Sequence, residues 1–223
     1  MGNLISRLGA RAKDQGDRPT CVALAASSVH EYWREIVLYK KKKIDLDLSA
    51  EFLYYGCKQT DGLGSDAGTT VGAAADWLKA KGQCLDEFHP YSTAVGPSPK
   101  PSVAAFSDAH TRKFAKLTRE PAKWDVLEDG LVGDRPVLGV VRIFENAYSV
   151  GKKGIISIPT ATNKNLGLHA VVFLDVEKSS SGTHAVFLNS WGLGWGDAGL
   201  GRFGTEYFEK HCKQLWILTK GDT

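Results

Sequence analysis

Four prolines, Pro90, Pro97, Pro99 and Pro101, fall between His89 and Ser102, and each fixes φ and removes a backbone donor, so no regular element can run through that interval. The sequence changes period across it. On the N-terminal side Val22, Ala25, Ala26, Val29, Trp33, Ile36 and Val37 recur at helical spacing. Leu46-Asp47-Leu48-Ser49 then reads as a loop ending in a helix cap, with Phe52, Leu53 and Tyr54 in a second helix that stops before Lys58. The turn formers at 62–70 make a loop. A third helix is predicted over 70–81, with Val71, Ala74, Ala75 and Leu78 on one face and Gly82 as its stop. On the C-terminal side a short amphipathic helix is predicted at 124–131. Beyond it the segments 137–143, 154–158, 170–176, 185–189 and 214–218 are short, β-branched and separated by turn signals. Helices followed by strands predict an α+β fold. The whole chain reads as one domain of two lobes, helical over about 15–100 and a β-sheet or barrel over about 101–223, with the cleft between them as the natural site.

Composition narrows the function classes. With 223 residues, 43% of them hydrophobic and 24% charged, the chain can bury a full core. A formal charge of +3 gives no argument for nucleic acid as a partner. The lysine run at 40–43 stands where the first helix should end and complements the negative pole of its dipole, so a solvated helix end is preferred to a phosphate or membrane site. No apolar run reaches the length of a membrane span, and the N-terminus lacks the apolar core of a secretory signal. Met1-Gly2-Asn3-Leu4-Ile5-Ser6 fits the short N-myristoylation pattern at Gly2, read here as coincidence. With Cys21 assigned to chemistry, Cys57, Cys84 and Cys212 are an odd remainder that does not suit a disulfide-stapled secreted domain. A cytoplasmic or otherwise reducing compartment is expected, and a monomer.

Gly16 and Pro19 forbid a helix before Cys21, which therefore falls in the first turn of the first helix. The backbone N–H groups and the positive end of the helix dipole there favour thiolate over thiol and make a nucleophile. Gln15, six residues earlier, can donate a side-chain N–H toward the same place. With the Cys21 backbone N–H it would form a two-donor hole for a developing oxyanion. Taken alone, a cysteine opening an apolar helix also reads as a small buried hydrophobe, so the rest of the chain has to decide.

Lys178-Ser179-Ser180-Ser181-Gly182 is predicted to turn a hairpin with arms at 169–176 and 184–191. Folding about Ser180 sets Val171 near Asn189 and His169 near Trp191, so His169 and Asn189 can touch. An amide oxygen held on one imidazole nitrogen turns the other toward the thiolate, and a cysteine, a histidine and an orienting third residue form the general constellation for covalent acyl transfer. The rival, His184, lies five residues before Asn189 on one strand. That odd offset points the two side chains to opposite faces, so His184 reads as a strand-start histidine. His30, His89, His110 and His211 have no partner spacing, and Arg34 stands where a zinc-binding helix beginning His30-Glu31 would need its second histidine. No metal and no cofactor are expected.

Gln15-Gly16, Cys21, His169-Ala170-Val171 and Asn189-Ser190-Trp191-Gly192-Leu193-Gly194-Trp195-Gly196-Asp197-Ala198-Gly199 together resemble the papain-like cysteine peptidases, over about residues 15–218. The blocks stand in that family's order, with 148 residues from Cys21 to His169 and 20 more to Asn189. Residues 48–54 resemble the family's second helix, 68–78 its glycine-rich loop and third helix, and Glu87-Phe88-His89-Pro90-Tyr91 its Tyr-Pro-Tyr region. The resemblance implies a two-lobed fold, helical on one side and β-barrel-like on the other, with Cys21 facing His169 across the cleft. It implies hydrolysis of a peptide or protein substrate through an acyl-enzyme on Cys21, with His169 as base and acid, Asn189 orienting it and Gln15 serving the oxyanion. Trp191 would shield the His169–Asn189 hydrogen bond. By the same matching, Gly68 and Thr69 would edge the cleft and pair with substrate backbone. Val140 and Ala170 would line the pocket for the residue two before the scissile bond, where an apolar side chain is expected.

Secreted members carry Cys-Gly-Ser-Cys-Trp at the active site, whereas Arg18-Pro19-Thr20-Cys21-Val22 lacks the upstream half of that disulfide and the tryptophan. This resembles the bacterial-type branch and agrees with reduced cysteines. Thr69 stands where a second glycine is common, and Leu168 replaces the polar residue often seen before the histidine. No inhibitory propeptide is read ahead of the nucleophile, so either activity is restrained another way or the chain is the catalytic domain of something larger. Two alternatives to an endopeptidase stay open. One is a peptide-binding module without turnover; the other is a thiol acyltransferase in which an amine resolves the acyl-enzyme.

Overall fold

The computed structural model describes residues 3–9, 11–35, 46–180 and 182–219. They form two units, one of Gln15–Lys116 and one joining Met1–Asp14 to Leu117–Lys220. In chain order the elements are α1 (Asn3–Gly9), α2 (Cys21–Trp33), α3 (Ala50–Lys58), α4 (Val71–Ala80), α5 (Val103–His110), β1 (Leu117–Glu120), α6 (Trp124–Leu131), β2 (Val137–Phe144), β3 (Ile155–Ile156), β4 (Asn165–Ser179), β5 (Gly182–Leu188), β6 (Leu200–Gly204), α7 (Thr205–His211) and β7 (Cys212–Leu218). The expectations for Gly2, Ile36, Val37, the lysines at 40–43 and Ser181 lie outside the described residues. Among the described residues no helix is long and apolar enough to cross a membrane.

In the helical unit α2 is buried at every residue from 22 to 32, so its polar groups have to be satisfied from within. The Ser27 and Ser28 hydroxyls donate back to the Ala23 and Leu24 carbonyls at 2.7 and 3.2 Å. Glu31 Oε1 accepts from the Leu48 N–H at 2.8 Å, and Glu35 Oε1 from the Leu46 N–H at 3.3 Å, which ties the entry to α3 onto α2. His30 stacks on Phe114 with ring centroids 4.6 Å apart, and its Nδ1 meets Gln83 Oε1 at 2.9 Å. Gln83 Nε2 donates to the Ser27 hydroxyl and the Ser49 carbonyl, so Oε1 is an acceptor and His30 Nδ1 carries the proton. Burial keeps this ring neutral and pushes its pKa down to about 3.

Ser49 is the cap that the sequence predicts, and Thr70, read there as the first residue of the third helix, is a cap as well. Ser49 accepts from the Phe52 N–H at the start of α3, and Thr70 from the Ala73 N–H at the start of α4. The chain leaves α4 at Gly82, whose φ is +79° and where a Cβ would stand 2.0 Å from the Ala109 carbonyl oxygen. Helix α5 is not anticipated by the sequence reading. Ser102 caps it, and Ala105 and Ala109 pack with Phe52 and Cys84. The helical unit consequently runs to Lys116 rather than to about 100, and the four prolines lie within it as an extended segment, not at its boundary.

The second unit is built on one seven-stranded sheet in the order β1-β7-β2-β4-β5-β6-β3, antiparallel except where β3 runs parallel to β6. One face carries Val137, Val141, Val171, Phe173, Phe187 and Phe203, packed with Leu127 of α6 and with Tyr207 and Phe208 of α7. In the β4–β5 hairpin Val172 faces Leu188 and Phe173 faces Phe187, the register that folding about Ser180 predicts. An irregularity between Phe173 and Asp175 then shifts the outer half by one residue, so Val176 faces Ala185 and Ser179 faces Gly182. Helix α6 spans the predicted residues, while β1, β6 and α7 are additions to the sequence reading.

Candidate functional site

His169 sits in β4 opposite Val141 of β2, and Asn189 follows the last residue of β5. Both side chains are buried, at 5% and 2% exposure. His169 Nε2 lies 2.7 Å from Asn189 Oδ1, and the Ser190 backbone N–H donates to the same atom at 2.8 Å. A backbone N–H can only donate, so that amide atom is the oxygen. His169 Nε2 must then carry the proton of the neutral ring, and Nδ1 carries the lone pair.

An aromatic cluster meets His169 through Trp191. Trp191 lies with its ring centroid 5.2 Å from the His169 imidazole, stacks on Tyr148 at 5.0 Å and meets Trp195 edge-on at 5.4 Å. Trp195 is anchored by its indole N–H, which donates to the Ala147 carbonyl at 2.8 Å. The backbone of the signature stretch closes on itself: the Asn189 N–H bonds to the Gly199 carbonyl at 2.9 Å and the Gly199 N–H to the Trp195 carbonyl at 2.8 Å. Gly199 has φ +87°, and a Cβ there would stand 2.3 Å from the Ala12 Cβ, so only glycine fits. Asp14 bridges to Trp191, and the Gly192 N–H bonds to the Lys13 carbonyl at 3.0 Å.

In the helical unit Cys21 opens α2 and is half-buried. The preceding Thr20 does not cap the helix with its side chain. Its hydroxyl lies 2.5 Å from the Tyr91 hydroxyl, which itself donates to the Gln15 carbonyl at 3.1 Å, so Thr20 is the donor of the first pair. Gln15 is buried, and its Nε2 donates to the Arg18 carbonyl at 2.7 Å. The Arg18 guanidinium makes a two-pronged ion pair with Glu51 of α3, with Nη2 to Oε1 at 2.8 Å and a closer contact from Nη1 to Oε2. It also donates to the Ser92 carbonyl and the Ser98 hydroxyl, and it lies 5.5 Å over the Tyr54 ring and 5.3 Å over the Tyr91 ring. Burial alone would push the Glu51 carboxyl up; the hydrogen bonds from Arg18 and Ser98 and the Arg18 charge outweigh it and hold Glu51 below its ordinary value.

The remaining expected residues are placed as follows. The Gly68 carbonyl accepts from Lys58 Nζ at 3.2 Å, and the Thr69 hydroxyl oxygen is buried with no hydrogen-bond partner among the described residues. Val140 and Ala170 face each other across β2 and β4, with 8% and 1% of their surface exposed. Thus Gln15, Cys21, Gly68 and Thr69 belong to the helical unit, and Val140, His169, Ala170, Asn189 and Trp191 to the sheet unit. His184 pairs in register with Glu177 and Gly204, on β5 toward the hairpin tip. Cys57, Cys84 and Cys212 are buried, and burial pushes each thiol up to about 12. Among the described residues no three His, Cys, Asp or Glu side chains gather as a metal-binding group.

The residues that sequence reasoning missed are those that hold the others in place: Glu51, Ser92, Ser98 and Tyr148. Glu51 did carry a signal, since a carboxylate beside Phe52, Leu53 and Tyr54 at a helix start is buried only with a partner. Tyr148 carried none.

A family model described as "Papain family cysteine protease" matches residues 8–214. Cysteine proteinase 3 of Entamoeba histolytica is 25% identical in an alignment of 196 residues that covers 84% of this chain and 57% of that protein, so the chain spans little more than half of that relative. Xylellain, a cysteine protease from Xylella fastidiosa, has a similar fold, with a TM-score of 0.81 at 23% identity over 94% of this chain and 82% of its own. Procathepsin B S9 from Trypanosoma congolense gives 0.74 at 16% identity over 97% and 76%.

Proposed function

Because this chain belongs to the papain family of cysteine proteases, we propose that it is a thiol endopeptidase with Cys21 as nucleophile, His169 as base and acid, Asn189 orienting His169, and Gln15 as an oxyanion donor. The observation that carries this reading is the buried 2.7 Å bond from His169 Nε2 to Asn189 Oδ1. It commits one ring nitrogen and leaves the other for proton transfer in the proposed reaction.

His169 Nδ1 takes the thiol proton, giving a thiolate and an imidazolium. The thiolate attacks the carbonyl carbon of the peptide bond, and the π pair moves onto oxygen. The Gln15 amide and the Cys21 backbone N–H bind that oxyanion. Collapse restores the carbonyl and breaks the C–N bond; the amine leaves with the proton from Nδ1, and a thioester remains on Cys21. Water then gives its proton to Nδ1 and attacks the thioester, and the second collapse releases the acid and the Cys21 thiolate. Asn189 Oδ1 accepts from Nε2 throughout, and its bond is stronger while the ring is charged. Trp191 keeps water from that bond. The backbone of Gly68 and Thr69 would pair with an extended peptide, and Val140 and Ala170, which face each other across β2 and β4, would line an apolar pocket for the side chain two residues before the scissile bond.

The test is inactivation by a peptidyl epoxide followed by peptide mapping. Wild type is expected to carry one adduct, on Cys21, and His169→Ala to react at least about tenfold more slowly. A folded wild-type chain that stays unmodified at Cys21 at neutral pH contradicts the reading. Products analysed with an added amine should be free acids; amides in their place would indicate an acyltransferase.

A further inference from the structure

The ion pair of Arg18 and Glu51 takes no part in the reaction steps above. An ionised pair in a protein interior sacrifices hydration on both partners, and apolar side chains of the same shape are often as stable. Its surroundings indicate a use other than stability. No helix or strand spans the interval from Gln15 to Cys21, so the place of the Gln15 amide is set by individual bonds. Those bonds converge on Arg18. Its carbonyl accepts from Gln15 Nε2 at 2.7 Å and from the Thr20 N–H at 2.9 Å, and its own N–H donates to the Gln15 carbonyl at 3.3 Å. Its side chain is held by Glu51, Ser92 and Ser98 and packed between the Tyr54 and Tyr91 rings. Tyr91 in turn binds the Gln15 carbonyl and the Thr20 hydroxyl, near the two ends of the same interval.

We propose that Arg18, clamped to α3 by Glu51, is a positioning residue for the Gln15 amide, setting how well the oxyanion is bound and not how nucleophilic Cys21 is. The proposal rests on the thiol-peptidase reading. The Gln15 amide has two N–H bonds. The Arg18 carbonyl takes one, which fixes the plane of the amide and aims the second. Release of the guanidinium from Glu51 lets that carbonyl shift with its loop. A displacement of about 1 Å in a group that must meet a transition state can cost on the order of a hundredfold in rate.

The test is a double-mutant cycle of Glu51→Gln with Gln15→Ala, reading kcat on a peptide substrate, the rate of Cys21 alkylation by iodoacetamide, and the thermal midpoint. Alkylation needs the thiolate and no oxyanion donor, so it separates the two roles. With Gln15 present, Glu51→Gln is expected to lower kcat by about tenfold or more while alkylation stays within about twofold. Gln15→Ala alone should cost about a hundredfold in kcat, and Glu51→Gln should then add less than about threefold. Equal losses in both backgrounds, an unchanged kcat, or alkylation falling in parallel with kcat overturns the proposal. A merely structural pair would move the thermal midpoint without this non-additivity. Should Glu51→Gln fail to fold, Arg18→Lys, which keeps the charge but not the two-pronged fork, carries the same cycle with the same expected pattern. Failure of the peptidase reading looks different: the wild type itself neither turns over substrate nor is alkylated at Cys21, and the proposal falls with it.

Discussion

Replacing Asn189 by alanine removes the acceptor shared by His169 Nε2 and the Ser190 N–H, at 2.7 and 2.8 Å. In the proposed reaction the first of these becomes a bond to a charged imidazolium, worth about 1.5–3 kcal/mol. At about 1.4 kcal/mol per factor of ten, losing it should lower kcat/KM by roughly 10- to 150-fold. The Ser190 N–H, left buried without its acceptor, costs a further 1–3 kcal/mol or so in stability, which for a chain of this size lowers the thermal midpoint by about 2–4 °C per kcal/mol. The assay is kcat/KM on a fluorogenic peptide beside the thermal midpoint, with Asn189→Asp as the companion variant. A carboxylate keeps an acceptor for both donors, so Asn189→Asp should stay within about tenfold of wild type. If Asn189→Ala stays within about twofold of wild type, Asn189 does not orient His169. If the aspartate variant is as poor as the alanine variant, the lost acceptor is not the cause.

Two further outcomes follow from the buried titratable groups. His30 has a pKa of about 3 in the folded chain against 6.5 for the ordinary group, so between those values the unfolded chain binds more protons and stability falls as pH drops from 6.5 toward 3. Denaturant unfolding at pH 7 and pH 5 should show wild type losing about 2 kcal/mol more than His30→Leu over that step, and equal losses would show that the ring is not held neutral. Burial raises the Cys57, Cys84 and Cys212 thiols to about 12, so iodoacetamide at neutral pH should add one group per folded chain, on Cys21, and the other three only on unfolding. Prompt labelling of Cys57 or Cys84 in the folded chain would refute this.

Much of the candidate site was legible because its parts repeat at fixed periods. A strand alternates every two residues, so a fold about Ser180 placed Val171 beside Asn189, and the irregularity that breaks this register lies beyond Phe173, away from His169. Ser49 announced α3 because a cap acts within three residues of itself. Helix α5 was hidden for the opposite reason: eight residues following a proline-rich segment carry little pattern, and what makes them helical is the contact of Ala105 and Ala109 with Phe52 and Cys84. Strand β6, with two glycines in five residues, has weak intrinsic preference and takes its form from pairing with β5. Arg18 was visible only as a departure from a family pattern. Its partner Glu51 is 33 residues away, and no local rule joins them. Candidate reacting groups, whose types chemistry dictates, can be proposed from a sequence more readily than the groups that hold them in place.

The central claim, that this chain cleaves peptide bonds through Cys21, is tested most directly by incubating wild type and Cys21→Ala with a diverse peptide library at neutral pH and reading the products by mass. The account predicts cleavage by wild type, with an apolar residue favoured two positions before the scissile bond, and none by Cys21→Ala. A folded wild type that cleaves nothing, or cleavage that survives in Cys21→Ala, would contradict it.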